Sequence, residues 1–129
     1  MTTDLWMLVW ATVLCLVMPL VYVLGEMQAP GGAEWGLGNR DTPFELPAWA
    51  ARAKRAHANL VENLLPFAAL VLVAHVAGEA NGTTALCATI FFWARLAYAI
   101  VYTAGIKIVR TVLFFVAQLG LVLILLQLF

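Results

Sequence analysis

The sequence predicts an all-α integral membrane protein, a bundle of four transmembrane helices in a single domain over residues 1–129. Of its residues 64% are hydrophobic and 11% are charged, and the mean hydropathy is +0.95. A soluble domain of this size does not carry so much apolar surface. Four apolar segments also stand out, each near the roughly 20 residues that a helix needs to cross a bilayer. They are residues 5–25, 50–78, 84–104 and 109–129.

The first apolar segment is predicted to be a retained membrane span. No positively charged stretch precedes it, and its apolar run is longer than that of a signal peptide. The two cysteines, Cys15 in this segment and Cys87 in the third, lie in apolar runs without metal-ligand spacing. Both are therefore predicted to be small buried hydrophobic side chains.

The second segment is longer than the membrane requires. A helix from residue 50 to residue 78 would measure about 43 Å at 1.5 Å per residue, against a hydrocarbon core of about 30 Å. Its first turns should therefore project beyond the lipid. The preceding loop, residues 26–49, is rich in glycine and proline, and Trp35, Phe44 and Trp49 predict that it lies against the headgroups or the bundle.

The basic residues predict the orientation of the chain. None lies in the amino terminus, in the Glu79–Thr83 turn or in the carboxyl terminus. Six of the seven lie in or beside the other two connections: Arg40, Arg52, Lys54, Arg55, Lys107 and Arg110. By the positive-inside rule both termini face outward, and the 26–49 loop and the third connection are cytoplasmic. No basic run is long enough to indicate nucleic acid.

A polar stripe interrupts the second span. Arg55, Asn59 and Glu62 follow one another at spacings of four and three, so they share one helix face. Arg52 extends this face by one turn. A charge at bilayer depth costs about 2.5–3.5 kcal/mol even on lenient insertion scales. The stripe therefore predicts a buried polar site.

The third span offers Glu62 a partner. Glu62 lies about 10 Å beyond Arg55, and Arg95 lies about 12 Å before the end of its own span, at 1.5 Å per residue. The two side chains should sit at similar depth, and neither is expected to stay unpaired there. We therefore expect an ion pair between them, within one subunit or across an interface.

Further polar residues map to the cytoplasmic leaflet. Tyr98 and Tyr102 follow Arg95 on one face of the third span, and Arg110 begins the fourth. Singly, each could be an interfacial anchor. Together they make a cationic site with one carboxylate, which suits a ligand with several carboxylates and one ammonium. No metal is predicted, because His57 and His75 lack suitably spaced partners; a surface position is expected for His57 and a core position for His75.

Two stretches resemble a known family. RAHANLVENLLPF, residues 55–67, resembles the RAxxNxxE signature, followed by a proline and an aromatic, of the membrane-associated proteins in eicosanoid and glutathione metabolism (MAPEG). RLAYAIVYTAGIKIVRTVLFFVAQLG also resembles that family, with an arginine and tyrosines on the third helix and an arginine opening the fourth. The upstream RDTPFELPAWAARAKRAHAN looks most like the family's prokaryotic branch.

The resemblance implies a homotrimer in a bacterial inner membrane that binds glutathione, as a co-substrate, between subunits at the cytoplasmic side. Arg110 matches the arginine that activates the thiol in catalytic members. The electrophile would be a lipophilic molecule or a lipid hydroperoxide that arrives through the bilayer. The resemblance implies that five residues contact the ligand: Arg55, Asn59, Glu62, Tyr98 and Tyr102. We expect Arg52 and Arg95 to contact it as well.

Three functions remain open at this point. The first is a glutathione transferase or peroxidase. The second is a non-catalytic trimeric membrane protein that keeps the polar stripe for assembly or ligand binding. The third is a small proton-coupled exporter, which is disfavoured because the first span has no charge between Leu5 and Gly25, where small multidrug exporters carry their essential glutamate.

Overall fold

The computed structural model describes residues 1–129 and is built from five α-helices. Four of them are long and apolar enough to cross a membrane, which confirms the predicted all-α class and the four candidate spans. The observed helices start about two residues before the predicted spans, and the last one ends at Leu126 instead of residue 129. They are α1 (Thr3–Gln28), α2 (Gly32–Leu37), α3 (Ala48–Ala77), α4 (Gly82–Ala104) and α5 (Lys107–Leu126).

Local signals in the sequence set the helix ends. Gly78 and Gly105 follow α3 and α4 with φ of 78° and 89°, a left-handed conformation that glycine adopts without strain and that ends helices. Asn81 begins α4: its side chain accepts hydrogen bonds from the backbone N–H groups of Thr83 and Thr84. Thr84 Oγ1 in turn accepts from the Asn81 N–H, which completes a capping box. Both turns around α4 are therefore short and fixed.

The helices α3 and α4 form the centre of the bundle. Helix α1 packs against both of them on one side, α5 packs against both on the other, and α1 and α5 do not touch. One end of the bundle carries both chain termini. We call the opposite end, where α1 and α4 finish and α3 and α5 begin, the basic end. Six of the seven lysines and arginines lie in or beside the connections at this end.

Helix α1 lies very close to the start of α3. A Cβ atom on Gly25 would stand 2.6 Å from the Cβ of Ala50 and 2.8 Å from the ring of Trp49. Real Cβ atoms do not approach a neighbour so closely, so only glycine fits at this crossing without movement. This contact fixes how α1 leans on α3.

The 26–49 segment is not simply a loop, because α2 lies within it. This short helix packs only against α1. A Cβ atom on Gly32 or Gly36 would collide with the backbone or the carboxylate of Glu26, so these glycines allow close packing. The Glu26 side chain is buried and pairs with Arg40, with 3.6 Å between Oε1 and Nη2. We call Glu26, Gly32, Gly36 and Arg40 the α1–α2 corner.

The aromatic residues of this segment have separate positions. Trp35 stacks on Phe44 with 5.2 Å between ring centroids, and its Nε1 donates to the backbone oxygen of Thr42. The Arg40 guanidinium lies over the same indole at 5.2 Å. Trp49 instead reaches the α1–α3 crossing near Gly25. The segment is thus held by its own side chains and by α1.

Candidate functional site

Three helices meet around Tyr102 at the basic end. The Arg110 guanidinium of α5 lies over the Tyr102 ring, 4.4 Å from its centroid. On α3, Arg55 donates from Nε to the Tyr102 hydroxyl at 3.3 Å, with its guanidinium 6.0 Å from the ring centroid. Tyr98, one turn earlier on α4, stands 5.5 Å from Tyr102 between centroids. We call these four residues the tyrosine–arginine cluster.

The spacing of the sequence explains the cluster. Residues four apart on a helix lie on one face, so Tyr98 and Tyr102 stand one above the other. Helix α3 runs antiparallel to α4, which places Arg55, in the second turn of α3, opposite the last turn of α4. The short turn after Gly105 places Arg110 in the first turn of α5, beside that same face. All four residues were predicted from the sequence as site residues.

The cluster carries two cations without a carboxylate partner. The single ion pair in the structure is the one between Glu26 and Arg40. Arg55 is exposed, Arg110 and Tyr102 are half-buried, and Tyr98 is buried. Guanidinium groups with free N–H donors bind carboxylates as planar forks. The cluster therefore has the charge and the hydrogen-bond donors that suit an anionic ligand.

Arg95 lies deeper, in the middle of the bundle. Its side chain is 1% exposed, and Nη1 donates to Asn59 Oδ1 at 2.7 Å. The rings of Phe91, Tyr98 and Phe114 surround the guanidinium at 5.3–5.6 Å, an arrangement in which aromatic faces attract a cation. Its Nε and Nη2 have no acceptor in the chain.

Two further amides extend this group and were not predicted from the sequence. Asn63 donates from Nδ2 to the backbone oxygen of Asn59 at 2.7 Å, and Gln118 donates to Asn63 Oδ1. We call Asn59, Asn63, Arg95 and Gln118 the amide–arginine network. Two signals were present in the sequence: Asn63 stands four residues after Asn59, and Gln118 is the only polar residue in its apolar stretch of α5.

The expected ion pair between Glu62 and Arg95 is not formed within the chain. Glu62 is exposed and pairs with no cation, while Arg95 bonds to Asn59. The reason is helical phase: Asn63 and Glu62 are adjacent, so about 100° of rotation separates them at 3.6 residues per turn. Asn63 takes the buried side and Glu62 the outer face. A pair between two subunits stays a prediction.

Arg52 also stands apart from the cluster. Its Nε donates to the backbone oxygen of Thr103 at 3.0 Å, one of the carbonyls that the end of α4 leaves without a helical partner. The side chain lines a groove between α1 and α4, on the other side of α4 from α5. The predicted site residues thus divide into the cluster, the hydrogen-bonded pair Asn59 and Arg95, and the separate Arg52 and Glu62.

His57 lies at the contact between α1 and α3, and not at the surface as expected. It is half-buried, with Nε2 3.5 Å from Cys15 Sγ and Nδ1 3.5 Å from the Tyr22 hydroxyl. His75, for which a core position was expected, is exposed. Cys87 is buried and Cys15 half-buried. No three His, Cys, Asp or Glu side chains come together to hold a metal ion.

The family model of the MAPEG family matches residues 5–129, which include nearly all of α1 and the whole of the other helices. No curated protein and no solved structure matches the chain.

Proposed function

The chain belongs to the MAPEG family, and on this premise we propose that it is a glutathione-dependent membrane transferase or peroxidase. The family includes glutathione transferases and peroxidases. The observation that carries the proposal is the position of Arg55 and Arg110 around Tyr102, two cations without a carboxylate partner.

The charges of glutathione fit this end of the bundle. Glutathione has two carboxylates and one ammonium, and an arginine fork binds a carboxylate with two parallel hydrogen bonds. Glu62 lies two turns beyond Arg55 on the same face of α3 and supplies a carboxylate for the ammonium. In this proposal Arg55 and Tyr98 position the peptide, and Asn59 and Arg95 form the floor of the site.

Arg110 activates the thiol in this proposal. A thiol with a pKa of about 8.5 is mostly protonated at neutral pH, and an adjacent cation stabilises the thiolate. The thiolate attacks an electrophilic carbon, the C–S bond forms, and the leaving group departs with its electron pair. With a hydroperoxide, the thiolate sulfur attacks the terminal oxygen, an S–O bond forms and the O–O bond breaks. The alkoxide that leaves takes a proton from water and becomes the alcohol. A second glutathione then reduces the sulfenic acid to give the disulfide and water.

A neighbouring copy completes the site in this proposal, as expected for a homotrimer. Glu62 supports this, because its exposed carboxylate lies on the first half of a membrane helix, where contact with lipid is costly. Arg55 is exposed two turns earlier on the same helix face, so a second subunit would cover both. The positive-inside rule supports a cytoplasmic position for the site, in a bacterial inner membrane.

The test compares Arg110→Ala with Lys107→Ala in purified protein. Lys107 is an exposed cation in the same turn of α5, and its side chain makes no hydrogen bond or cation–π contact to the cluster, unlike Arg55 and Arg110. Glutathione should raise the melting temperature of the wild type, because a ligand that binds only the native state stabilises it. Conjugation to a reactive aromatic halide should be lost in Arg110→Ala and kept in Lys107→Ala.

The other possible results of this test distinguish an enzyme from a binding protein. Stabilisation by glutathione without any turnover would support a binding protein instead of an enzyme. The absence of any response to millimolar glutathione would exclude both. Equal activity of Arg110→Ala and the wild type would remove Arg110 from the mechanism.

A further inference from the structure

A groove between α1 and α4 is separate from the tyrosine–arginine cluster. Its volume is about 570 Å³, within the range of ligand pockets. Apart from Arg52 and Thr103 its lining is hydrophobic. The two walls include Val17, Met18 and Val21 of α1 and Leu96, Ala99 and Ile100 of α4. Because α5 packs on the opposite side of α4, the groove does not meet Arg110.

The groove is apolar along its length and cationic at one end. Leu96 and Thr103 are separated by about two turns of α4, or about 10 Å, so the walls run from the basic end into the membrane. Several side chains of these walls are open to the surroundings; Ile100 is 63% exposed and Val17 is 46% exposed. Arg52 and Trp49 lie at the end where α3 begins.

The Arg52 guanidinium is held by one hydrogen bond, and its terminal N–H groups remain free to bind a ligand. Its Nε is bound to the Thr103 carbonyl, while both terminal nitrogens lack an acceptor in the chain. Fixing one nitrogen lowers the entropy lost when the others bind, because the planar group is already oriented. Two terminal N–H groups in one plane match two oxygens of a phosphate.

We propose that this groove binds one acyl chain of an anionic phospholipid, with the phosphate on Arg52. A basic residue between transmembrane helices at the end of the bundle suits an anionic headgroup, and an indole such as Trp49 favours the level of the headgroups. The hydrocarbon chain follows the apolar walls toward the middle of the membrane. This site is independent of the proposed glutathione chemistry, since none of its lining residues belongs to the cluster.

The headgroup is tested by native mass spectrometry of the purified protein with two lipids. Dioleoylphosphatidylglycerol and dioleoylphosphatidylcholine have the same acyl chains, so a difference in binding reports the headgroup. The wild type should prefer phosphatidylglycerol, and Arg52→Gln should reduce this preference about fivefold, the effect of one basic residue at the membrane surface. A glutamine amide can still donate to Thr103.

Lys54→Gln is the matched control, because Lys54 is an exposed cation two residues away that does not line the groove. It should keep the preference of the wild type. An unchanged preference in Arg52→Gln, or an equal loss in Lys54→Gln, would overturn the assignment of the phosphate to Arg52.

The acyl chain is tested by filling the groove. Val17→Trp should weaken the binding of both lipids, whereas Leu16→Trp, on the neighbouring exposed position of α1 outside the groove, should not. Equal lipid binding by the two variants would overturn the proposal. So would a loss of oligomer in Val17→Trp with lipid preference unchanged, since a second copy of the chain would then occupy the groove. This arm also decides the question if Arg52→Gln fails to fold.

Discussion

Arg95 is a charged side chain buried in the middle of a membrane helix, and its burial is energetically costly. A cation at the centre of a membrane helix costs about 2.5–3.5 kcal/mol on insertion scales. Contact with aromatic faces offsets about 0.5–2 kcal/mol of this cost, and a hydrogen bond to a charged group offsets about 1.5–3 kcal/mol. Because Asn59 Oδ1 is the only acceptor for this guanidinium in the chain, the amide of Asn59 is a structural group as well as a candidate ligand contact.

The variant Asn59→Ala should therefore destabilise the protein. Removing the acceptor leaves a buried cation without its hydrogen bond, a loss of about 1–3 kcal/mol. Asn59→Asp keeps an oxygen at the same place and should melt near the wild type or above it. Thermal unfolding in detergent without glutathione measures both variants. Equal melting temperatures for the wild type and Asn59→Ala would show that Arg95 does not depend on this bond.

At the residue scale, the sequence predicted how far along the bundle each polar side chain lies, but not which of these side chains contact one another. The residues of the cluster could be named, because spacings of four and the short turn after Gly105 bring them to one end. The partner of Arg95 could not. Depth follows from the rise per residue, whereas the rotation of α3 against α4 follows from packing. A rotation of one residue exchanges Glu62 for Asn63.

At the scale of elements, length and hydropathy were sufficient for the four long helices but not for α2. A helix of six residues has little stability of its own, and this one contains glycines, which disfavour helix. Its stability comes from contact with α1, where Gly32 and Gly36 admit Glu26. These glycines are as typical of a flexible loop as of a short helix that packs closely, so the sequence alone does not distinguish the two.

The crossing of α1 and α3 gives an element-scale prediction. Gly25→Ala should lower the melting temperature, because the new methyl group would overlap the Ala50 Cβ at 2.6 Å and overpacking typically costs about 1–3 kcal/mol. Gly82→Ala is the control: it is the same change at the start of α4, where a Cβ would meet nothing within 4 Å. The two variants are compared by thermal unfolding in the same detergent. If Gly82→Ala proves as destabilising as Gly25→Ala, the crossing is not the cause.

At the scale of the whole molecule, α4 separates two faces of different chemistry. The face toward α5 carries the tyrosine–arginine cluster, and the face toward α1 carries the groove. The sequence could not predict this division, because Arg52 and Arg55 are only three residues apart on α3. Their side chains nevertheless bond to different groups in the last turn of α4, Arg52 to the Thr103 carbonyl and Arg55 to the Tyr102 hydroxyl.

The orientation of the molecule is the prediction that belongs to this scale. In a variant whose two native cysteines are replaced by alanine, a cysteine is introduced at Thr2 or at Lys54, both of which are exposed. A membrane-impermeant maleimide applied to intact cells should label Thr2→Cys and not Lys54→Cys, which should react only after permeabilisation. The positive-inside rule gives this direction. The reverse pattern would place both termini in the cytoplasm.

The α1–α2 corner has a consequence for biosynthesis. All of its members lie between Glu26 and Arg40, and the Phe44 ring beside Gly32 also precedes α3, so the corner needs no residue of α3, α4 or α5. At about 5–20 residues per second, the end of α3 leaves the ribosome some seconds after Arg40, while helix formation takes less than about a microsecond. The end of α1 thus packs against α2 before α3, its partner helix, has been synthesised. Its carboxylate is paired while the rest of the chain is still being made.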